Sequence, residues 1–347
     1  MIQIQGPKAP QPSGSLAPLH LPARDIPVPS SISAEAQQML ARGLLSAGTN
    51  YPALDDLQGW LDCIEAMNSE AWQMIDGHPT PEAVVGAPQT SLVTETLDIA
   101  GVTVYEVRPQ NVDKSDRRVY LDIHGGSWIQ GGGEFCKSIT PGTAAAVGVR
   151  TWSVDYRMPP QHPFPAGLED CLAVYQRLLD THSSAEIIVG GFSAGANLAA
   201  ALMLLIRDRG LPLPAAVVLS SPPVDLTESG DTWVTNLGMD TVLTASARPT
   251  MLLYAAGYDV LNPYLSPLYG DLAGGYPPAL QLSGTRDLLL SDTVRFHRAL
   301  LAARIPAELH VFEAQGHAGF MGEAPEDQDR ALTTRKFIDS HWPQPKS

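Results

Sequence analysis

The sequence is poor in cysteine and has no long apolar run. Its three cysteines, Cys63, Cys136 and Cys171, lie far apart and show no Cys-x-x-Cys spacing. A sparse, odd set of this kind argues against a disulfide framework or a zinc cluster and fits a reducing compartment. No stretch reaches the roughly 18 apolar residues of a membrane span, so no transmembrane helix is predicted.

Positive charge is also scarce, since 22 Lys and Arg stand against 37 Asp and Glu, a formal net charge of −15. This balance disfavours nucleic acids and anionic membranes as partners. The first residues lack a basic stretch followed by an apolar one, so we expect no secretory signal and a cytoplasmic protein. With 347 residues, of which 44% are hydrophobic, the chain suits either one large α/β domain or a domain with an added lid.

Strand-like and helix-like segments alternate through most of the chain. A proline-rich arm (1–30) precedes predicted helices near 34–46, with Ser33 as N-cap, and near 54–76. Eight strands are predicted, at Val93–Ile99, Val102–Val107, 118–123, 151–155, 186–190, 215–220, 278–283 and 308–313. Further helices are predicted near 138–148, 166–182, 194–209, 288–304 and 326–340. The alternation is typical of an α/β fold with a mostly parallel sheet covered by helices on both faces.

One long segment, 221–277, interrupts this alternation. Insertions of such length between strands are often functional, so we expect it to form a cap together with the two N-terminal helices. The predicted organisation is an arm with cap helices (1–90), a first part of the core (91–220), a cap insertion (221–270) and a second part of the core (271–347).

The most informative motif is Gly191-Phe192-Ser193-Ala194-Gly195, which follows the apolar run Ile187–Val189 and precedes a helical stretch. Glycines on both sides of the serine let a sharp strand-to-helix turn close without Cβ clashes. The pattern predicts a nucleophile elbow at Ser193. It also leaves the Ala194 N–H at a helix N-terminus, where it can face a developing oxyanion.

A serine nucleophile needs a base, an orienting carboxylate and an oxyanion hole, and three other strand ends supply candidates. The strand 118–123 leads into Gly125 and Gly126, whose amides can face the same oxyanion as Ala194. The later strands end near Asp287 and near His317. The chain order Ser, Asp, His is the one expected of α/β-hydrolases, so Ser193, Asp287 and His317 are predicted as the catalytic residues.

Several rival interpretations concern neighbouring residues. Asp292, one turn into the following helix, is the alternative to Asp287 as the acid, although its charge also suits the helix dipole. His124 is expected to brace its loop rather than to catalyse. The glycines at 131–133 are not followed by the Gly-Lys-Ser/Thr of a phosphate loop, and Phe192 replaces the middle glycine of a dinucleotide motif, so nucleotide binding is not predicted.

Five ordered motifs resemble the hormone-sensitive-lipase-like family of bacterial serine esterases. They are HGG at 124–126, Tyr156-Arg157 with His162–Ala166, the serine motif, GTRD at 284–287 and GHAGF at 316–320. The stretch Tyr264–Tyr269, followed by Pro277-Pro278, resembles the branch that contains ε-lactone and monoterpene-lactone hydrolases. The resemblance implies an α/β-hydrolase core with a helical cap, hydrolysis of carboxylic esters and no cofactor. It assigns Ser193 as nucleophile, His317 as base, Asp287 as its orienter, and the Gly125, Gly126 and Ala194 amides as the oxyanion hole.

Ser127 departs from the family pattern, which usually has a third glycine or an alanine there. Ser127, Trp128 and Phe192 are expected to line the substrate pocket.

The main functional hypothesis is a serine carboxylesterase acting on short- to medium-chain esters or on lactones through an acyl-enzyme. The alternatives are an amidase or deacetylase with the same catalytic residues, and a non-catalytic ligand receptor on the same scaffold. A homodimer formed through the strand 308–313 and the helix 326–340 is a further hypothesis. Apart from this second copy of the chain, no partner other than the small-molecule substrate is predicted.

Overall fold

The computed structural model describes residues 19–44, 49–76, 92–110, 112–113 and 115–342, and it contains one eight-stranded sheet. The strand order is β1-β2-β4-β3-β5-β6-β7-β8. The pairs β1–β2 and β2–β4 are antiparallel and all other pairs are parallel, which confirms the predicted mostly parallel sheet. The strands are β1 (Leu92–Ile99), β2 (Val102–Pro109), β3 (Val119–Ile123), β4 (Arg150–Asp155), β5 (Ile187–Phe192), β6 (Ala216–Ser220), β7 (Ala279–Gly284) and β8 (Ala307–Phe312).

Helices cover both faces of this sheet. The α-helices of the described residues are α1 (Ala34–Ala41), α2 (Leu57–Asp76), α3 (Glu134–Val147), α4 (Ala166–Leu179), α5 (Ala194–Asp208), α6 (Thr232–Thr235), α7 (Arg248–Ala255), α8 (Leu290–Ala302) and α9 (Pro325–His341). On β5, Ile187 and Val189 pack into the core with α4, α5 and α8, whereas Ile188 packs on the opposite face with α3 and α9. This alternation follows from the two-residue period of a strand.

Helix α5 lies at the centre of the larger core. Every residue from Ala194 to Ile206 is buried, and a helix that is apolar on all sides is a core element. The preceding strand is equally enclosed, because Ile187 to Gly191 are buried between neighbouring strands. The turn that joins β5 to α5 is therefore held from both sides.

Most predicted elements form within a few residues of their predicted bounds, and the differences have local causes. Ser33 caps α1 as predicted and accepts a hydrogen bond from the Ala36 N–H, but the helix ends at Ala41 instead of 46. Helix α3 begins four residues earlier than predicted, directly after Gly133, which adopts a φ of 60°. Residues 1–18 of the proline-rich arm, 77–90 of the first predicted domain and residue 91 of the second lie outside the described residues, and the domain boundaries stay predictions.

Strand β8 forms an open edge of the sheet, since it pairs with β7 and has no second neighbour among the described strands. The homodimer predicted for this edge stays a prediction. None of the helices in the described ranges combines the length and the apolar character that a bilayer crossing requires.

Candidate active site

The turn between β5 and α5 places Ser193 in a strained backbone conformation. Its φ and ψ are 56° and −124°, a region that side-chain-bearing residues rarely occupy. The Ser193 N–H donates to the Ser220 carbonyl of the neighbouring strand at 2.9 Å. Both flanking glycines are required, because a Cβ on Gly191 would lie 2.4 Å from the Gly195 oxygen. The predicted elbow therefore forms.

Replacing Gly195 with alanine is expected to lower the free energy of unfolding by about 3 kcal/mol or more. A Cβ at this position would lie 1.9 Å from the Ile123 oxygen at the end of β3, and backbone there cannot move aside cheaply. Thermal unfolding followed by circular dichroism measures the loss. Gly274→Ala is the matched control, because the nearest atom to its Cβ would be a flexible Asp271 oxygen at 3.1 Å. Equal midpoints for the two variants would contradict the expectation.

The structure brings the three predicted catalytic residues together. His317 Nε2 lies 2.8 Å from Ser193 Oγ, and His317 Nδ1 lies 3.4 Å from Asp287 Oδ1. Ser193 is 8% exposed, His317 3% and Asp287 not at all, so the pair of hydrogen bonds is shielded from water. This is the nucleophile–base–orienter arrangement that activates a serine hydroxyl.

Asp287 is held by several donors at once. Its Oδ2 accepts the Ser283 hydroxyl at 2.8 Å and its Oδ1 accepts the Leu289 N–H at 2.9 Å. Burial raises the pKa of Asp287, but the hydrogen bond and charge of His317 and the Leu289 N–H lower it by more, so the net pKa lies below the usual value. The carboxylate is therefore ionised at neutral pH.

Asp292, the rival acid, lies elsewhere. Its Oδ2 accepts the Asp225 N–H at 3.2 Å. Burial and the nearby charge of Asp225 raise the pKa of Asp292 well above its usual value. A carboxyl that favours its neutral form is poorly suited to orient and stabilise a histidine cation.

The loop after β3 lies directly against the elbow. A Cβ on Gly125 would lie 2.9 Å from the Phe192 oxygen and 3.2 Å from Ser193 Cβ, so this close approach requires glycine. Gly126 has a φ of 117° and turns the chain so that its carbonyl accepts the Ile129 and Gln130 N–H groups. Ala194 is the first residue of α5, where a helix provides no acceptor for the N–H.

His124 braces this loop, as its position predicted. His124 Nδ1 lies 2.7 Å from the carbonyl oxygen of Gly125. The imidazole ring also stacks on the Tyr156 ring, with 4.2 Å between the ring centroids. The Tyr156 hydroxyl in turn donates to the His124 carbonyl at 3.0 Å. Burial lowers the pKa of His124, so the ring is neutral and donates one hydrogen bond.

A cavity of about 210 Å³ opens onto Ser193 and His317. Besides Phe192, Ser193 and His317, three separate stretches of chain line it: the region of α2, the loop after β3, and the segment between β6 and β7. Ser127 and Phe192 belong to its wall, as predicted. The lining residues are Thr49, Tyr51, Met67, Glu70, Ala71, Gly126, Ser127, Gln130, Phe192, Ser193, Val242, Leu243, Thr244, Ala245, Ala247 and His317.

A family model described as the alpha/beta hydrolase fold matches residues 120–321, more than half of the chain. The chain belongs to this family. An acetyl-hydrolase of Streptomyces hygroscopicus is 34% identical to this hydrolase over 235 residues, which are 67% of this chain and 76% of the relative.

Solved structures extend the similarity to nearly the whole hydrolase. The crystal structure of esterase E25 has a TM-score of 0.79 and 32% identity and covers 94% of this chain and 99% of its own. A bacterial esterase of the hormone-sensitive lipase family has a TM-score of 0.76 and 28% identity, and covers 90% of this chain and 99% of its own. The hydrolase is thus of the hormone-sensitive-lipase-like kind.

Trp128 does not line the cavity of the hydrolase, contrary to the prediction. Ser127 and Trp128 both have positive φ, and the chain turns between them so that only the serine faces the cavity. The indole is 1% exposed, stacks on Tyr254 at 5.1 Å and donates its Nε1 hydrogen to Asn197 Oδ1 at 3.3 Å. A side chain committed to the core in this way cannot contact a substrate.

Two residues between β6 and β7 that sequence reasoning missed hold the catalytic loops of the hydrolase. Asn236 donates its Nδ2 hydrogens to the Thr285 and Asp287 carbonyls at 3.1 and 2.9 Å. Asp240 accepts the Leu288 N–H at 3.1 Å and the His317 N–H at 3.0 Å. Neither Asn236 nor Asp240 lies in a recognisable motif. The sequence indicates them only through the recurrence of polar residues in a segment long enough to fold back on the sheet.

Proposed function

We propose that this hydrolase cleaves carboxylic esters through an acyl-enzyme formed on Ser193. The observation that carries the proposal is the 2.8 Å approach of His317 Nε2 to Ser193 Oγ on a strained elbow that opens into a cavity. The similarity to one acetyl-hydrolase and two esterases supports the same reaction class.

In the proposed acylation step, Ser193 Oγ attacks the ester carbonyl carbon while His317 Nε2 takes the hydroxyl proton. Asp287, ionised and bonded to His317 Nδ1, stabilises the imidazolium that forms. The N–H groups of Gly125, Gly126 and Ala194 hold the oxyanion, and each such donor typically contributes about 10²–10³ in rate. His317 then gives its proton to the alkoxide, which leaves as the alcohol.

Deacylation repeats these steps with water. His317 removes a proton from a water molecule as the water oxygen adds to the acyl carbon. The resulting tetrahedral intermediate collapses, and the bond from the acyl carbon to Ser193 Oγ breaks. The imidazolium reprotonates the serine, so the enzyme ends in its starting state and the products are one acid and one alcohol.

A fluorophosphonate probe tests the acyl-enzyme part of this proposal. It should add one phosphonyl group per chain, on the peptide that contains Ser193, as measured by mass spectrometry. His317→Ala should slow the labelling rate by at least about 10³-fold, because the serine then lacks its base. Labelling at another residue, or none, would contradict the proposal and would favour a non-catalytic receptor.

The cavity volume predicts a preference for short acyl chains. At roughly 30 Å³ for each water-sized group, 210 Å³ holds about seven non-hydrogen atoms. We therefore expect kcat/KM for p-nitrophenyl esters to be highest near butyrate and about tenfold or more lower at decanoate.

Met67 on α2 closes part of this volume, so Met67→Ala should raise the ratio of decanoate to butyrate turnover. Trp72→Ala is the control on the same helix, because Trp72 packs edge-on against Phe135 at 5.3 Å and is not among the lining residues. If both substitutions change the decanoate-to-butyrate ratio equally, or if neither changes it, the cavity does not set the preference for acyl-chain length.

We further propose small lactones as substrates of the same site, because rings of five to seven members have about six to eight non-hydrogen atoms and match the cavity. Ring opening keeps the acid and the alcohol in one product. Acid release from γ-butyrolactone, δ-valerolactone and ε-caprolactone in a pH-stat measures it. If the enzyme hydrolyses p-nitrophenyl esters but opens none of the three lactones, the lactone proposal is refuted and the ester proposal is unaffected.

A further inference from the structure

Asp240 is fully buried, and its carboxylate accepts four backbone N–H groups from three parts of the chain: its own segment, the loop after β7 and the loop after β8. Oδ1 accepts those of Val242 and Leu243 at 2.9 and 3.0 Å, and Oδ2 accepts those of Leu288 and His317 at 3.1 and 3.0 Å. A carboxylate has about four lone-pair sites, and all four are directed at donors here. The arrangement fits the ionised form, since a proton on either oxygen would displace a bond.

The two ends of this carboxylate hold two functional features. Val242 and Leu243 belong to the cavity wall, whereas Leu288 directly follows Asp287 and His317 is the base. One side chain therefore fixes the distance between the substrate pocket and two of the catalytic residues.

The charge of Asp240 also acts on the catalytic centre. Burial, the largest effect, and the nearby charge of Asp287 raise the pKa of Asp240, whereas the positive charge of His317 and the N–H donors lower it, so the net pKa lies above the usual value. Charged groups from three parts of the chain therefore act on the catalytic centre. They are Asp287 in the loop after β7, Asp240 in the segment before β7, and Arg330 on α9, which interacts with the charge of Asp287.

We propose that Asp240 is a positioning residue that aligns His317 with the cavity wall and supports the imidazolium with a second buried negative charge. This inference rests on the proposed ester hydrolysis. When His317 takes the serine proton, the new positive charge forms beside Asp287, which contacts His317 Nδ1, and it is also attracted by the buried carboxylate of Asp240, which accepts the His317 N–H. Opposite charges in a buried site interact more strongly than in water, so a second carboxylate favours the charged intermediate.

The pH profile of kcat/KM for Asp240→Asn tests the proposal. An amide keeps the size but accepts through one oxygen only, so we expect a roughly 10- to 100-fold lower kcat/KM. Removing the negative charge also makes a positive charge on the catalytic base less favourable, so the acidic limb of the profile should move to lower pH.

Asp327→Asn is the matched control. Asp327 also accepts backbone N–H groups of the loop that carries His317, from Phe320 and Gly322 at 3.0 and 2.9 Å, but makes no bond to His317. It should change the rate without moving the acidic limb. Equal limb shifts in both variants, or none in Asp240→Asn, would overturn the proposal.

Asp240→Glu separates charge from position. It keeps the negative charge but forces an extra methylene into an enclosed site, so kcat should fall while the acidic limb stays in place. A shifted limb in this variant, or failure of both Asp240 variants to fold, would assign the residue a purely structural role and overturn the proposal. Activity of the wild type equal to that of Ser193→Ala in the same assay would instead refute the proposed function itself.

Discussion

Replacing Ser193 with alanine is expected to lower kcat/KM for p-nitrophenyl butyrate about 10⁶-fold. The substitution removes the Oγ atom that lies 2.8 Å from His317 Nε2 and that forms the covalent bond in the proposed reaction. It keeps the Cβ and the backbone of the elbow, so the midpoint of thermal unfolding should change by only a few degrees. Initial rates and circular dichroism of the same preparations measure both effects.

Ser138→Ala is the control for this substitution. Ser138 is an exposed residue of α3 whose hydroxyl donates to the nearby Phe135 carbonyl at 2.7 Å. It should leave turnover unchanged. Turnover by Ser193→Ala close to that of the wild type would refute the nucleophile assignment, and a collapsed unfolding midpoint would assign the loss to folding instead.

Replacing Asp287 with asparagine is expected to lower kcat about 10⁴-fold. The amide cannot stabilise the imidazolium, and it can leave His317 in the tautomer that presents a hydrogen to Ser193. Asp287 owes its ionised state to the donors around it, so its charge is present throughout the neutral range. The variant should therefore stay slow from about pH 6 to pH 9, as measured by steady-state rates in that range.

Asp292→Asn is the matched comparison, because Asp292 was the rival acid in the sequence. The raised pKa of Asp292 favours the neutral carboxyl, which an amide resembles in shape and charge. We expect its kcat to stay within about threefold of the wild type. The reverse order of effects, with Asp292→Asn the slower enzyme, would show that the acid is misassigned.

The positions of the predicted catalytic residues could be read from the sequence because each lies at the end of a strand. Parallel strands direct their carboxyl ends to one edge of the sheet, so Ser193, Asp287 and His317 converge although 124 residues separate the serine from the histidine. The same regularity made the eight strands predictable. Strand β5 extends two residues beyond its predicted end, because Gly191 and Phe192 pair with β6. The intrinsic strand propensity of these residues does not indicate this extension.

The cavity wall was harder to predict, because it depends on how irregular segments turn. Trp128 follows Ser127 directly and was expected beside it in the pocket, yet two consecutive residues of positive φ send its ring into the core instead. Asp240 lacks a motif because its contacts are to backbone N–H groups, which every residue possesses. Contacts of that kind leave no preference for particular residue types in the partner segment.

The separate origin of the cavity walls has a practical consequence for redesign. The residues of α2 that line the cavity contact none of the catalytic side chains through a hydrogen bond, whereas the segment after β6 is tied to them through Asp240. Exchanging the stretch before β1 between homologous enzymes should therefore transfer chain-length selectivity while the chemistry is retained. Exchanging the segment after β6 should preserve activity only when Asp240 and the two loops that it holds, after β7 and after β8, are exchanged together with it.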